Sequence, residues 1–253
     1  VTDGVIKSAG RALEVLEAFT RERRPLTAKQ LERALCYPPS STIMLLKSLT
    51  QLGYLRFDRR RHTYHPTLRV TLLGEWLREG TGGSDAVFDA MHALAERTCE
   101  TVFLSTPNDV DMQVTHIVPG AQPISLRVDP GRRVPMAASA VGHAFLATRS
   151  DDEVRALVRR MNRDRSLRSQ PPPIEVESTL LAVERARRDG YAVAYDILPG
   201  VGAVACSVPR HEDGRDAVIC VGGPSERIRA AAASLGGELR RCLDDYFSAR
   251  SVA

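Results

Sequence analysis

The sequence predicts an α+β chain of two modules. A small basic head holds three helices and a hairpin; a larger body alternates helices with the strands of a mostly antiparallel sheet. Three observations predict it. Charge is uneven: residues 1–78 carry 14 Lys/Arg against 7 Asp/Glu, and residues 79–253 carry 21 against 24. Apolar residues recur at helical spacing through most of the first 52 positions, and later alternate between that spacing and short β-branched runs. The body's strands come in pairs joined by turn residues, which suits antiparallel neighbours because a parallel pair needs a long crossover. The boundaries read as 1–66 for the head, 67–84 for a linker helix and hinge, and 85–253 for the body.

Composition narrows the class. The 253 residues are 43% hydrophobic, 26% charged and 5% aromatic, which excludes disordered, fibrous and collagen-like chains. No apolar run approaches the ~18 residues of a membrane helix, and Lys7, Arg11 and Glu14 interrupt the first apolar stretch, unlike a signal peptide. Five cysteines, at 36, 99, 206, 220 and 242, include no Cys-x-x-Cys pair. That pattern suits packed thiols in a reduced, cytoplasmic protein. A basic head on a mildly acidic body points to polyanion binding, although short segments also fluctuate in charge.

In the head, Ser8 to Phe19 reads as a helix with Ala9, Ala12, Leu13, Leu16 and Phe19 on one stripe. Thr27-Ala-Lys-Gln30 is a capping box that opens a second helix, with Leu31, Ala34 and Leu35 facing inward. Tyr37-Pro38-Pro39 stops it, because the residue before a proline avoids the helical region. A third helix runs from about Pro39 to Leu52 and ends at Gly53. At 100° per residue, Thr42, Leu45, Leu46, Leu49 and Leu52 share the core side, and Ser40, Ile43, Met44, Lys47 and Gln51 share the other. Tyr54–Phe57 and Thr63–Pro66 then flank the basic turn Asp58-Arg59-Arg60-Arg61-His62 as a hairpin. Two helices, a short turn, a third helix and a basic hairpin follow the order of a winged helix-turn-helix. The third helix fits the major groove with its N-terminal end at base edges. The candidate DNA-contacting residues are Ser40, Ser41, Thr42, Ile43, Met44 and Lys47 on the helix, and Arg59, Arg60 and Arg61 on the wing. Serine hydroxyls bond bases or phosphates, Ile43 or Met44 could touch thymine methyls, and the cations neutralise phosphates. The bland alternatives are a solvated turn for the arginines and a subunit contact for Ile43 and Met44. His62-x-x-His65 lacks the further ligands a metal needs.

Thr67 to about Gly80 reads as a linker helix carrying Leu68, Leu72, Leu73, Trp76 and Leu77, followed by a Thr81–Ser84 hinge. Its stripe would pack on a second copy or on its own domain. In the body, helices are expected at Asp85–Thr98, Ala138–Thr148, after the Ser150–Glu153 capping box, at Glu177–Asp189 and at Ser225–Phe247. Strands are expected at Thr101–Ser105, Met112–Val118, Pro123–Val128, Tyr191–Tyr195, Ala203–Val208 and Ala217–Val221; Ser166–Pro173 reads as a loop.

The chain resembles the IclR family of bacterial transcription regulators over nearly its full length. The carrying segments in the head are Ser8-Ala-Gly-Arg11-Ala-Leu13 and Ser40-Ser-Thr with Leu45, Leu46, Leu49 and Gly53-Tyr54. In the body they are Val134 through Ala147, Gly190-Tyr191, Gly200-Val201 through Ala205, and Gly223-Pro224 through Ile228. The resemblance implies a winged helix-turn-helix, a linker helix and a GAF-like α/β effector-binding domain. It implies a homodimer or dimer of dimers that binds double-stranded operator DNA and answers to a small-molecule effector, with no membrane partner. Carried over by motif, the effector pocket falls at Leu126, Val134, Ala140, Val141, Ala194, Val201, Ala203, Cys220 and Gly222. Two departures matter. Met44 stands where some members carry arginine. Cys220, Gly222 and the Ala194 region stand where members that bind small oxo acids place hydroxyl and carboxyl groups. A pocket without those groups favours an aromatic or larger hydrophobic effector over a two- or three-carbon acid.

Other signals carry less. Gly200-Val-Gly202-Ala-Val-Ala205 matches a dinucleotide fingerprint, but the β-branched run after it suits a strand where the fingerprint needs a helix. Cys206 and Cys220 read as packed thiols, with redox sensing as the lesser alternative. His143 is a lone histidine, and no catalytic set, cofactor or metal site is expected. The functional expectation is a ligand-responsive regulator, leaning to repressor, of a catabolic operon. The alternatives are an enzyme fused to a DNA-binding head, and a DNA-binding protein whose body only dimerises.

Overall fold

The computed structural model describes residues 6–73, 84–163, 174–209 and 216–248. Contacts divide the chain into two units, Val1–Gly80 and Thr81–Ala253.

The first unit holds α1 (Lys7–Glu22), α2 (Ala28–Leu35), α3 (Pro39–Gln51), β1 (Leu55–Asp58), β2 (Thr63–Pro66) and α4 (Leu68–Leu72). The capping box at α2 is formed: Gln30 N–H donates to Thr27 Oγ1 at 3.2 Å and Thr27 N–H to Gln30 Oε1 at 2.9 Å. Gly53 takes φ 81° just after α3, the left-handed conformation that frees the chain to turn into β1. β1 and β2 pair antiparallel from Leu55↔Pro66 to Asp58↔Thr63, and Leu26 bridges Tyr64 to tie the loop after α1 onto the hairpin. Val15, Phe19, Leu26, Leu31, Leu46, Leu49 and Leu55 form the core. The buried stripe of α1 is Val15, Ala18 and Phe19, so the expected inward position of Leu13 is corrected: it is 61% exposed. One helical face cannot hold both Leu13 and Ala18, and the small head closes around the latter. Leu52, expected in the core, is exposed at the end of α3, and Ala34 is exposed on α2. The linker helix is described only over Leu68–Leu72, where Leu68 and Leu72 are exposed; Trp76, Leu77 and the hinge up to residue 83 lie outside the described residues.

The second unit holds α5 (Ser84–Thr98), β3 (Thr101–Asn108), β4 (Asp111–Val118), β5 (Arg133–Pro135), α6 (Ala140–Leu146), α7 (Asp151–Arg163), α8 (Val176–Asp189), β6 (Ala192–Tyr195), β7 (Val201–Ser207), β8 (Val218–Pro224) and α9 (Ser225–Ser248). Its sheet runs β5-β4-β3-β8-β7-β6, with every neighbouring pair antiparallel. Side chains alternate between two cores, as strand geometry requires. Val102, Val204, Ile219 and Val221 pack under Met91 and Leu94 of α5 and Leu239 and Leu243 of α9. Phe103, Ala205, Val218 and Cys220 face the other way, against α6 and Leu180 and Val183 of α8. The capping box at α7 is formed by Ser150 and Glu153. The loop expected at 166–173 and residues 211–215 between β7 and β8 lie outside the described residues.

The strand expected at Pro123–Val128 is not one, and the third strand is Arg133–Pro135. Residues 119–132 form a strap across the second core face instead. In its middle, side chains take up carbonyls: Thr101 Oγ1 donates to Leu126 O at 2.9 Å, and Arg227 Nη2 donates to Ile124 O at 2.8 Å; at its end Arg132 O accepts from Val114 N–H of β4 at 2.8 Å. Arg227 also holds Glu100 through both carboxylate oxygens, with Nη2–Oε2 at 2.8 Å. From Val201 onward the Gly200 fingerprint lies on β7, a strand, where the dinucleotide motif needs a helix.

Candidate nucleic-acid interface and ligand pocket

In the first unit, α3 presents a face of unusual composition. Met44 is 70% and Ile43 43% exposed, and Ser40 and Lys47 are exposed beside them. Ser41 is half-buried. Thr42 is the exception among the candidates: it is 1% exposed, and its hydroxyl donates to Pro38 O at 3.1 Å. The core side chosen by periodicity holds it, so Thr42 leaves the contacting set. Pro38 offers no side-chain cap to α3. The partial positive charge of this helix end therefore stays open to an outside anion.

The wing is shaped by Asp58. Its Oδ1 accepts the backbone N–H of Arg60 at 2.9 Å and of Arg61 at 3.1 Å, and these bonds hold its carboxyl below the usual range. His62 at φ 51° completes the turn. Arg59, Arg60 and Arg61 project outward, exposed and without an ion-pair partner among the described residues. Phe57 packs its ring on Tyr64 at 4.7 Å, which stiffens the hairpin beneath them.

In the second unit, the strap, the sheet face and the start of α6 enclose a cavity of about 60 Å³. Leu126, Val134, Ala140, Val141, Ala194, Val201, Ala203 and Cys220 line it. Gly222 lies beneath: a Cβ there would stand 2.8 Å from Leu126 Cδ2 and 3.0 Å from Phe103 Cε1. Its missing side chain is what lets Leu126 descend onto the sheet. Burial drives the Cys220 thiol well above its ordinary pKa, so it packs as an uncharged group.

Sequence reasoning missed Phe103, Val114, Val128, Ile197 and Leu198 in the wall, and the polar Arg132 and Ser139. The alternation of β3 could have found Phe103; nothing local marks Arg132. Ser139 is occupied as the N-cap of α6, accepting from Gly142 N–H at 3.2 Å and donating to Pro135 O at 2.7 Å. Arg132 is exposed and unpaired among the described residues. Among the described residues the lining is thus apolar except for Ser139, occupied as a cap, and the exposed Arg132. Two larger hollows, about 280 Å³ beside Ser207 and about 540 Å³ beside Arg159, border undescribed residues.

His143 lies on α6, 8% exposed. Nε2 sits 3.1 Å from Ala137 O and Nδ1 is buried without a partner; burial depresses its pKa, so the ring is neutral and donates through Nε2–H. No described group of three or more metal-binding side chains exists, and no described helix is long and apolar enough to cross a membrane.

Comparison with known proteins covers both units. Residues 8–59 match a family model described as the IclR helix-turn-helix domain, and residues 86–246 match the bacterial transcriptional regulator IclR C-terminal domain. The HTH-type transcriptional regulator KdgR of Escherichia coli is 23% identical over 186 residues, 74% of this chain and 70% of that protein. The HTH-type transcriptional repressor AllR of Salmonella typhi is 24% identical over 234 residues, 91% of this chain and 85% of its own. Among solved structures, Thermotoga maritima IclR superposes with a TM-score of 0.62 at 17% identity, covering 94% of this chain and 98% of that one. An IclR family regulator from Brucella abortus gives 0.57 at 24%, covering 98% and 93%.

Proposed function

The chain belongs to the IclR family of bacterial transcriptional regulators, and from that premise we propose that it acts in the cytoplasm as a homodimer or dimer of dimers that represses a catabolic operon until a small organic effector binds its body. DNA binding belongs to the family. The sensing role rests on one observation: a largely apolar cavity roofed by a strap whose middle lies outside any strand and is held by side chains. A ligand that fits one arrangement of the strap better than another shifts the population of arrangements, and operator affinity follows if the two equilibria are linked. Two joined heads must engage both half-sites together, so a small change in their spacing has a large effect on affinity.

The lining favours an effector with an apolar, aromatic body. A cavity near 150 Å³ is what holds benzene, so at about 60 Å³ Leu126 or the strap must move to admit a ring. That small volume also favours the second reading, a body that only joins copies. Calorimetric titration with benzoate, benzyl alcohol, pyruvate and glyoxylate, with operator gel shifts alongside, separates them. Benzoate or benzyl alcohol should bind and change operator affinity. Tight pyruvate or glyoxylate binding overturns the apolar assignment; no binding and no thermal stabilisation by any of the four supports the joining body.

A further inference from the structure

Five hydroxyl residues lie on α3, and three of them are committed to its own backbone. Thr42 donates to Pro38 O at 3.1 Å, Ser48 to Met44 O at 3.0 Å and Thr50 to Leu46 O at 2.7 Å. Its sequence, Pro39-Ser-Ser-Thr-Ile-Met-Leu-Leu-Lys-Ser-Leu-Thr-Gln51, contains no arginine, asparagine, acid or histidine. Guanine is read in the major groove by Arg or Lys and adenine by Asn or Gln, in each case through paired hydrogen bonds. Only Lys47 and Gln51 have that chemistry. Gln51 lies 11 residues, about 16 Å along the axis, beyond Ser40, far from the end that meets base edges. What the first half of the outer face does offer is Met44, 70% exposed, and Ile43, 43% exposed, flanked by the small Ser40. Other apolar side chains of the head are exposed as well, Leu13 at 61% and Leu52 at 57%, but Ile43 and Met44 are the ones on the first half of this face. The one apolar feature of the major groove is the thymine 5-methyl group.

We propose that α3 reads its operator through thymine methyls, with Ile43 and Met44 packed against one or two methyls per half-site. This deepens the DNA-binding role and rests on it. Ser40 and Ser41 accept or donate single bonds at the same steps, while Lys47 and the wing arginines hold phosphates and add affinity without sequence preference. The half-site is therefore distinguished by A·T pairs with thymine in a fixed strand position, and no bidentate guanine contact defines it.

The test begins with duplexes enriched from a 30-base-pair random library by the full chain. Binding is then measured by fluorescence anisotropy at fixed salt, with each thymine replaced in turn by deoxyuridine, which lacks only the methyl. One or two replacements per half-site should weaken binding about fourfold each, the value of one buried methyl. Met44→Ala should bring thymine and deoxyuridine within twofold of each other at the contacted step, while the dependence on salt, set by phosphate contacts, persists. Its fold is checked by thermal melting, and Ile43→Ala repeats the test if it melts early. If every deoxyuridine replacement is silent, or the enriched half-site is defined by guanine, the methyl reading falls while DNA binding stands. A change in oligomeric mass for Met44→Ala makes the face a protein contact and overturns it too. If no duplex is enriched and none binds in a salt-sensitive way, the DNA-binding role falls with it.

Discussion

Replacing Arg227 with methionine strips the partner from a carboxylate that has almost no access to water. The Glu100 side chain is 5% exposed, and Arg227 meets both of its oxygens and Ile124 O besides. Leaving one partner of a buried ion pair alone costs about 3–5 kcal/mol. Arg227 is itself 35% exposed, so water replaces part of what is lost, and about 3 kcal/mol is expected. For a unit of this size that is a fall of roughly 6–12 °C in its melting temperature. Differential scanning calorimetry of the full chain measures it. The double variant Glu100→Gln/Arg227→Met should recover at least about 1 kcal/mol, since removing both charges ends the desolvation penalty that the single variant leaves uncompensated. Hydrogen exchange should meanwhile accelerate in the strap, above all at Gln122 N–H, which bonds Cys99 O at 3.2 Å. A loss below about 1 kcal/mol for Arg227→Met, or a double variant less stable than the single one, would falsify the view that the pair is a desolvated clasp.

Gly142→Ala places a Cβ 1.8 Å from Met136 O, backbone against backbone, and should cost about 3 kcal/mol or more; an unchanged denaturation midpoint refutes the close approach. His143 is held neutral by burial, so the folded chain binds its proton only below the ordinary pKa near 6.5 while the unfolded chain binds it there. Its stabilising contribution is present above that pH and lost as pH falls beneath it. His143→Gln should flatten the pH dependence of the unfolding free energy between pH 7 and 5, and parallel curves for the two proteins refute the assignment. Replacing Arg59, Arg60 and Arg61 with alanine should reduce the slope of log affinity against log salt by about 0.9 for each arginine that meets a phosphate, with little change in sequence preference; an unchanged slope removes the wing from the interface.

The course of the chain was readable wherever the signal is local. Thr27 and Gln30 lie three residues apart, as do Ser150 and Glu153, so both capping boxes are written in adjacent side chains. The order of helices and hairpin in the head follows from periodicity and turn residues in the same way. The resemblance to the family, carried over by motif, pointed to eight side chains that line one cavity in the structure, with Gly222 beneath. Thr42 shows the limit within one helix. It lay in both the core set and the DNA-contacting set, and its burial against the head decided between them.

Sequence alone therefore determined the two-module order, the basic charge of the head and the antiparallel character of the body. Tertiary structure decided which side of α1 is buried, where the strap runs, how little room it leaves, and that Arg132 stands at its edge. The strap reads as a strand because Pro123–Val128 has strand-like composition. It is none, because Thr101 and Arg227 claim its carbonyls from 25 and 103 residues away. Bonds made across such separations leave no periodic trace in the chain; they arise only when the sheet has brought their partners together.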